Sequence, residues 1–226
     1  MNILAIETSS EYLSVALAMD NQIVYQDCHA VQRHSELLLP MIEEVLVANN
    51  VKRDQLSAIG FGAGPGSFTG LRIACGVAQG LAFGLDIPVI PISTLEVVAE
   101  ATGQQNVAVA LDARMGEIYF AAYSQTVTGR QTIIQECLCN PDQVFELPGE
   151  NWFGAGSGFA LYKEKLINVY GSKLVGITDQ LFPHAQYIAR LACIKFQQGL
   201  AVSPELALPT YIRDKVALTT QERSSV

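Results

Sequence analysis

The 226-residue sequence is poor in charged residues, and its charge is mostly negative. Asp, Glu, Lys and Arg make up only 16% of the residues, and the formal net charge at pH 7 is −8. Nucleic acid phosphates repel an acidic chain, so the composition argues against an extended nucleic acid surface on this chain alone. A basic partner would have to supply such a nucleic acid surface. Half of the residues are apolar, which indicates a folded protein with a hydrophobic core.

Markers of export and of membrane insertion are also missing. No CxxC pair occurs, and the odd number of five cysteines predicts reduced thiols in a cytosolic protein. The opening "MNILAIETSS" lacks the basic start and apolar run of a signal peptide. No run of about 18 residues is free of polar interruption. We therefore expect a cytoplasmic protein without a membrane-spanning segment.

Motifs for nucleotide binding are incomplete. The glycine-rich stretch "GAGPGSFTG", residues 62–70, lacks the lysine that a Walker loop uses to reach phosphates. Ser67 and Thr69 occupy the places where a dinucleotide fingerprint needs its third glycine. The stretch is better explained as a tight strand-to-helix turn in which Ser67 or Thr69 caps the helix.

Motifs for hydrolysis and metal binding are missing as well. Neither HExxH nor GxSxG occurs, which argues against a peptidase. The three histidines, His29, His34 and His184, are scattered and have no clustered carboxylates at ligand spacing. We therefore predict no metal site.

Two parts of the chain begin alike. Strands are predicted at residues 3–6, 12–18 and 23–28, and a similar pattern starts near residue 107. The first strand of each set ends in an acidic residue, Glu7 or Asp112. Strands and helices alternate in both parts, which predicts α/β layers with a mixed sheet in each half. We divide the chain into halves at 1–103 and 104–226, with the tail returning in part to the first half.

The other predicted elements complete this pattern. Helices are expected at 36–49 with Ser35 as cap and a kink near Pro40, and at 68–85, 94–101, 159–169 and 183–198. Further strands are expected at 58–63, around 88–93 and at 152–155, where Trp152 should belong to the core. Tyr211 and Arg213 should anchor the tail against the body of the protein.

The first helix has two apolar stripes. One contains Leu38, Ile42, Val45 and Leu46, and the other contains Leu37, Met41 and Ala48. Such a helix is either buried on two sides, by its own domain and by another surface, or has one broad core face. The sequence leaves both alternatives open.

The helix at 68–85 carries a stripe of glycines. Gly76, Gly80 and Gly84 recur every four residues and so share one face, where each costs roughly 1 kcal/mol relative to alanine. Ala74 and Ala78 are expected to widen this surface. The close approach that compensates the cost is made either by the sheet of the same domain or by a helix of another chain.

Four stretches carry a family resemblance: "ILAIETSS", "HSELLLPMIEEVL", "GAGPGSFTGLRIACGVAQGLAF" and "PTYIRDKVA". They resemble the bacterial TsaB (YeaZ) family of tRNA threonylcarbamoyladenosine biosynthesis proteins, a glycoprotease-like family. The resemblance implies the actin-like, sugar-kinase-like ATPase (ASKHA, ribonuclease H-like) fold with two duplicated halves. It also implies a partner subunit of TsaD, which transfers threonylcarbamoyl to the adenosine beside the anticodon of tRNAs that read codons beginning with A. The ATPase TsaE completes the assembly, and tRNA is reached only through the complex.

The resemblance also implies where the partner binds. In the family the first two helices form a bundle with TsaD, and the same face could pair two copies of the chain. The implied interface residues are His34, Leu37, Leu38, Met41, Ile42, Val45, Arg72, Gly76, Gly80 and Gly84. For Arg72 the alternative is a surface ion pair, and for His34 it is a solvated position ahead of the helix.

The resemblance implies no catalysis by this chain. The catalytic relative has an H-x-x-x-H metal pair, whereas the corresponding "PISTLEVVAEAT", residues 91–102, contains no histidine. The first phosphate loop of the fold reads Asp-x-Gly-Thr, but here Glu7 is followed by Thr8, Ser9 and Ser10. Thr8 and Ser9, with Gly156 and Gly158 on the adenosine side, are the candidate nucleotide contacts. ATP or ADP is expected at most at the partner interface. The alternatives are an independent nucleotide-dependent transferase or kinase, or a peptidase.

Overall fold

The structure, a computed structural model, describes residues 1–20 and 22–213. Residues 214–226 lie outside the described residues; they include the end of the stretch "PTYIRDKVA" and the end of the predicted second half. The first half contains β1 (Asn2–Glu7), β2 (Tyr12–Met19), β3 (Gln22–His29), α1 (His34–Ala48), β4 (Ala58–Gly64), α2 (Phe68–Leu85), β5 (Val89–Ser93) and α3 (Thr94–Ala101). The second half contains β6 (Asn106–Arg114), β7 (Glu117–Thr126), β8 (Gly129–Cys139), β9 (Trp152–Ala155), α4 (Ser157–Leu161), α5 (Lys163–Tyr170), β10 (Leu174–Thr178) and α6 (Ala185–Gln197).

The strands form two five-stranded mixed sheets with the same topology. The first sheet has the order β3-β2-β1-β4-β5 and the second has the order β8-β7-β6-β9-β10. In each sheet the first three strands form an antiparallel meander, and the remaining pairings are parallel. The repeat read from the sequence is therefore a duplication of structure. The chain has the predicted actin-like, sugar-kinase-like α/β fold.

Helices cover both faces of each sheet. Helices α1 and α2 pack on the outer face of the first sheet, where Leu4 and Ile6 of β1 point. Ile3 and Ala5 point to the other face and meet α6. Helix α3 packs on the inner face of the second sheet, and α4 and α5 cover its outer face. The layers therefore run α–β–α–β–α, and α6 from the second half of the sequence lies on the first sheet.

Several predicted boundaries agree with the structure and others differ. Helices α2 and α3 have the predicted bounds, Ser67 caps α2 by accepting a hydrogen bond from the Gly70 N–H, and Trp152 is buried. Ser35 is not a cap, because α1 begins at His34, two residues before the predicted start, and Arg33 occupies the cap position. The helix predicted at 159–169 is two helices that meet at Tyr162. Strands β8 and β10 were not predicted.

Helix α2 is apolar for a structural reason. Its length and composition would allow it to cross a membrane, contrary to the expectation from the sequence. In this fold its buried residues, which include Leu71, Ala74, Ala78 and Ala82, belong to the core and pack toward the first sheet. This packing accounts for the apolar residues on the inner face of the helix. The absence of a membrane-spanning segment stays a prediction.

Candidate partner-binding face and inter-half cleft

The outer face of α2 is open at its three glycines. Gly76, Gly80 and Gly84, the outer glycines, are exposed, and a Cβ added to any of them would meet no atom of another element within 4 Å. Their backbone is ordinary α-helix, so no conformational demand requires glycine. The first sheet therefore does not use these glycines, which excludes the alternative of close packing inside the domain.

The alanines of α2 lie on its other side. Ala74 and Ala78 are fully buried in the core of the first half, together with Ala82. The expectation that Ala74 and Ala78 widen the glycine surface is wrong, because a helix turns by 100° per residue and places them on the inner face. Ile73 and Val77, half-buried, line the edge of the exposed face.

Helix α1 has a core face and a partly exposed apolar edge. Leu38, Ile42 and Val45 are at most 4% exposed and pack in the core, so the prediction that they contact a partner is wrong. They form the inner stripe that holds α1 on the sheet. Leu37 and Met41 are half-buried beside this core and remain accessible from outside.

His34, the first residue of α1, is also placed differently from the expectation. Its side chain is buried, with 8% of the residue exposed, so it is not the solvated residue considered above. It lines the cleft between the halves. Its Nε2 has no hydrogen-bond partner within residues 1–20 and 22–213.

Arg72 is part of an arginine–aromatic cluster formed with Phe68 and Tyr211. Its guanidinium carbon lies 3.7 Å from the centre of the Phe68 ring, and its Nε donates a hydrogen bond of 3.0 Å to the Tyr211 hydroxyl. The two aromatic rings are 5.5 Å apart. The surface ion pair predicted for Arg72 is absent from the part of the chain that the structure describes, and no sequence pattern indicated Tyr211 as its partner.

The glycine-rich turn before α2 lies directly on the turn that follows β1. The Thr8 hydroxyl donates to the Gly70 carbonyl at 2.7 Å, and the Ser67 N–H donates to the Ser9 carbonyl at 2.8 Å. A Cβ on Gly66 would lie 2.7 Å from the Ser9 Cβ, and one on Gly70 would overlap the Thr8 carbonyl. Gly66 and Gly70 are therefore required for close approach within the domain. Gly62, where a Cβ would overlap the Glu7 side chain, belongs with them, and we call these three residues the inner glycines.

This packing covers the candidate phosphate contacts of the first half. Thr8 is fully buried and Ser9 is 6% exposed, because the first turn of α2 lies over both residues. The Thr8 hydroxyl donates its hydrogen bond to the Gly70 carbonyl, and the Ser9 Oγ is buried. The Thr8 hydroxyl is therefore already engaged within the domain, whereas Ser9 lines the cleft between the halves.

A buried carboxyl group lies beneath the same turn. The Glu7 Oε1 accepts a hydrogen bond from the Ser9 N–H, while Oε2 has no partner among the described residues. Burial raises the pKa of Glu7 above its ordinary value, although its contacts with Ser9 act in the opposite direction. A Cβ on Gly62 would overlap this carboxyl group. The sequence could not show the contact between Glu7 and Gly62, because 54 residues lie between them.

The second half repeats the arrangement at Gly156 and Gly158. Gly156 has a φ of +101°, and a Cβ there would lie 2.6 Å from the Ala110 carbonyl oxygen. A Cβ on Gly158 would lie 2.9 Å from Ala110. The Ser157 hydroxyl accepts a hydrogen bond of 3.0 Å from the Asp112 N–H. These glycines thus hold the turn after β9 against β6.

A cleft of about 1010 Å³ separates the two halves, and the tail runs along it. The Thr210 N–H donates to the Ala63 carbonyl at 2.7 Å. Arg213 forms a 2.7 Å ion pair with Glu117 and donates to the Ala113 carbonyl at 3.1 Å. These contacts confirm the predicted anchoring role of Tyr211 and Arg213. No group of three or more metal-ligating side chains occurs in residues 1–20 and 22–213.

Comparison with known proteins agrees with this fold. The family model described as "TsaD: tRNA N6-adenosine threonylcarbamoyltransferase" matches residues 28–220, so the chain belongs to that family of duplicated α/β proteins. The Haemophilus influenzae protein named tRNA threonylcarbamoyladenosine biosynthesis protein TsaB is 37% identical over 96% of this chain and 95% of its own length. The Escherichia coli protein of the same name is 35% identical over 96% of each chain.

A solved structure gives the same result. YeaZ from Pseudomonas aeruginosa is 36% identical, and the two folds superpose with a TM-score of 0.86 over 93% of this chain and 99% of that one. Within the wider family, the chain is therefore a member of the TsaB, or YeaZ, group. The resemblance inferred from the four sequence stretches is confirmed.

Proposed function

We propose that this chain is a noncatalytic subunit in tRNA threonylcarbamoyladenosine biosynthesis that binds a TsaD-type catalytic subunit and acts together with a TsaE-type ATPase. Membership of the TsaB group supports the pathway. The single observation that supports a partner is the open face of α2. Three outer glycines cost roughly 3 kcal/mol of helix stability, and nothing inside the domain requires them.

A second helix meeting the outer glycines would compensate this cost. Without side chains, two helix backbones can approach more closely than usual, and the half-buried Leu37, Met41, Ile73 and Val77 would be covered at the edge of the contact. The same face would serve a homodimer when the partner is absent. We therefore place the interface on the outer faces of α1 and α2.

The absence of catalysis in this chain is part of the proposal. Residues 91–102, which include the end of β5 and all of α3, contain no histidine, and the Thr8 hydroxyl and the Ser9 carbonyl are already hydrogen-bonded to the turn before α2. Threonylcarbamoyl transfer would then occur on the TsaD-type subunit, and tRNA would be bound by the complex. A nucleotide, ATP or ADP, would bind where the partner meets this chain. We place the assembly in the cytosol.

Reconstitution tests the proposal directly. Purified TsaD-type and TsaE-type subunits from the same genome are combined with threonylcarbamoyl-adenylate and tRNA, with and without this chain, and the modified adenosine is measured. The proposal expects modification to depend on this chain, which alone hydrolyses neither ATP nor peptide. Equal modification without it would contradict the proposal, and ATP turnover by the isolated chain would favour an independent enzyme.

Gly80→Leu tests the face itself. The added side chain enters open space, so the fold should be retained while partner binding is lost. Asn168→Leu is the matched control, because Asn168 is an exposed position of α5 in the opposite outer layer. Gly80→Leu that binds the partner as tightly as Asn168→Leu would exclude this face.

A further inference from the structure

The arginine–aromatic cluster stands at one end of the same outer face. Phe68 and Arg72 precede the outer glycines at the same four-residue spacing, so the five positions form one stripe along α2. Phe68 and Tyr211 are each 45% exposed. The stripe therefore combines a small-residue surface with a cluster of large side chains at its amino-terminal end.

Arg72 is held in one conformation before any partner arrives. Its guanidinium stacks on Phe68 and its Nε is bound by Tyr211, so little rotamer freedom is left to lose on binding. The terminal nitrogens Nη1 and Nη2 have no hydrogen-bond partner within residues 1–20 and 22–213. A fork of two parallel donors in fixed geometry matches a carboxylate.

The electrostatic setting also favours an anion. Arg72 is the only charged residue of α2, and it lies near the amino-terminal end, where the helix dipole disfavours a cation. No carboxylate in the described residues pairs with it. An incoming carboxylate would satisfy both the guanidinium and the end of the helix.

Tyr211 is itself fixed from both halves. The neighbouring Thr210 is bound to Ala63 of the first half, and Arg213 is bound to Glu117 and Ala113 of the second. The hydroxyl that orients Arg72 therefore depends on the tail being docked. A correctly folded tail is a precondition for presenting the guanidinium fork.

We infer that Arg72, oriented by Phe68 and Tyr211, is the anchor of the partner-binding face and receives a carboxylate side chain of the partner subunit. This inference rests on the proposed function. Arginine and aromatic side chains dominate the energetics of protein interfaces, whereas the outer glycines contribute shape. The cluster thus gives the face its specificity, and the glycines give it close approach.

Affinity measurements with the purified TsaD-type subunit test the inference. Arg72→Gln should weaken binding about 30-fold or more, and Arg72→Lys about tenfold, because lysine keeps the charge but loses the fork and the stacking. Tyr211→Phe, which removes only the hydroxyl, should weaken binding about threefold to fivefold. Wild-type affinity should fall more steeply with salt than that of Arg72→Gln.

Two controls separate the outcomes. Lys163→Gln removes an exposed cation of α5 in the opposite layer and should bind like wild type. Thermal unfolding of every variant is measured to verify the fold. If Arg72→Gln binds normally while Gly80→Leu does not bind, the assignment of Arg72 as the anchor is wrong, but the interface on α1 and α2 is supported. If both bind normally, the inference and the proposed function fail together.

Discussion

The inner glycines and the outer glycines follow one another in one segment of the chain, and both sets have a four-residue spacing. The inner set lies against Glu7, Thr8 and Ser9, where any Cβ would collide with other atoms. The outer set faces open space. Two identical sequence patterns therefore have two different causes, one in the packing of the domain and the other, we propose, in the packing of a partner.

The two halves sharpen this comparison. Gly156 and Gly158 repeat the inner role, because they hold the turn after β9 close to Ala110. Helix α4 ends at Leu161, whereas α2 continues to Leu85 and carries the outer glycines. The duplication thus preserved the close packing of the turn, while the long helix with an open glycine face occurs only in the first half of the described chain.

The largest expected effect is that of Gly70→Ala. Alanine is normally favoured in a helix, but here its Cβ would overlap the Thr8 carbonyl, which is backbone and cannot swing away. We expect a loss of at least about 3 kcal/mol in the free energy of unfolding, measured by urea denaturation. A variant as stable as wild type would show that the turn need not lie so close.

Glu7→Gln should change how stability depends on pH. Burial raises the pKa of Glu7 in the folded state above its ordinary value of 4.5, so between these two values the folded chain holds a proton that the unfolded chain lacks. Wild-type stability therefore falls as pH rises through this window, whereas the neutral glutamine has no such dependence. The difference in unfolding free energy between variant and wild type should shift in favour of the variant as pH rises. If the unfolding free energies of the variant and of wild type changed with pH in parallel, the raised pKa of Glu7 would be contradicted.

A double-mutant cycle on Gly62 and Glu7 tests the contact between these two residues, for which the expected effect is smaller. Gly62→Ala alone should cost about 1–3 kcal/mol, because its Cβ overlaps the Glu7 carboxyl group. In a Glu7→Ala background the overlap disappears, and the cost should fall by about 1 kcal/mol or more. Strict additivity would mean that the two residues do not interact.

Gly80→Ala has the smallest expected effect and the opposite sign. The methyl group enters open space, so the helix propensity of alanine should raise the free energy of unfolding by up to about 1 kcal/mol. This is the same substitution in the same helix as Gly70→Ala. Destabilisation by Gly80→Ala would remove the distinction between inner and outer glycines.

The sequence predicted local structure well because local signals were strong. Ser67 as a cap and the long apolar helix after it fixed the bounds of α2. Strand β8 was missed, and so was the break at Tyr162 between α4 and α5. Local propensity could not decide these features, because pairing with β7 and packing on the second sheet determine them.

The candidate site was predictable only in outline. The outer glycines were found by their spacing, but spacing could not tell which stripe of α1 faces the sheet, so the predicted interface included Leu38, Ile42 and Val45, which are buried in the core. Arg72 meets Tyr211 across 139 positions of sequence. Contacts between distant parts of a chain are set by the tertiary fold, and no local pattern records them.

Hydrogen–deuterium exchange tests the central claim most directly. Exchange of the wild-type chain is compared with and without a saturating amount of the TsaD-type subunit. We predict slower exchange in α1 and α2 on partner binding, and unchanged exchange in α4 and α5 of the opposite layer. Protection confined to α4 and α5, or a stable complex without protection of α2, would contradict the account.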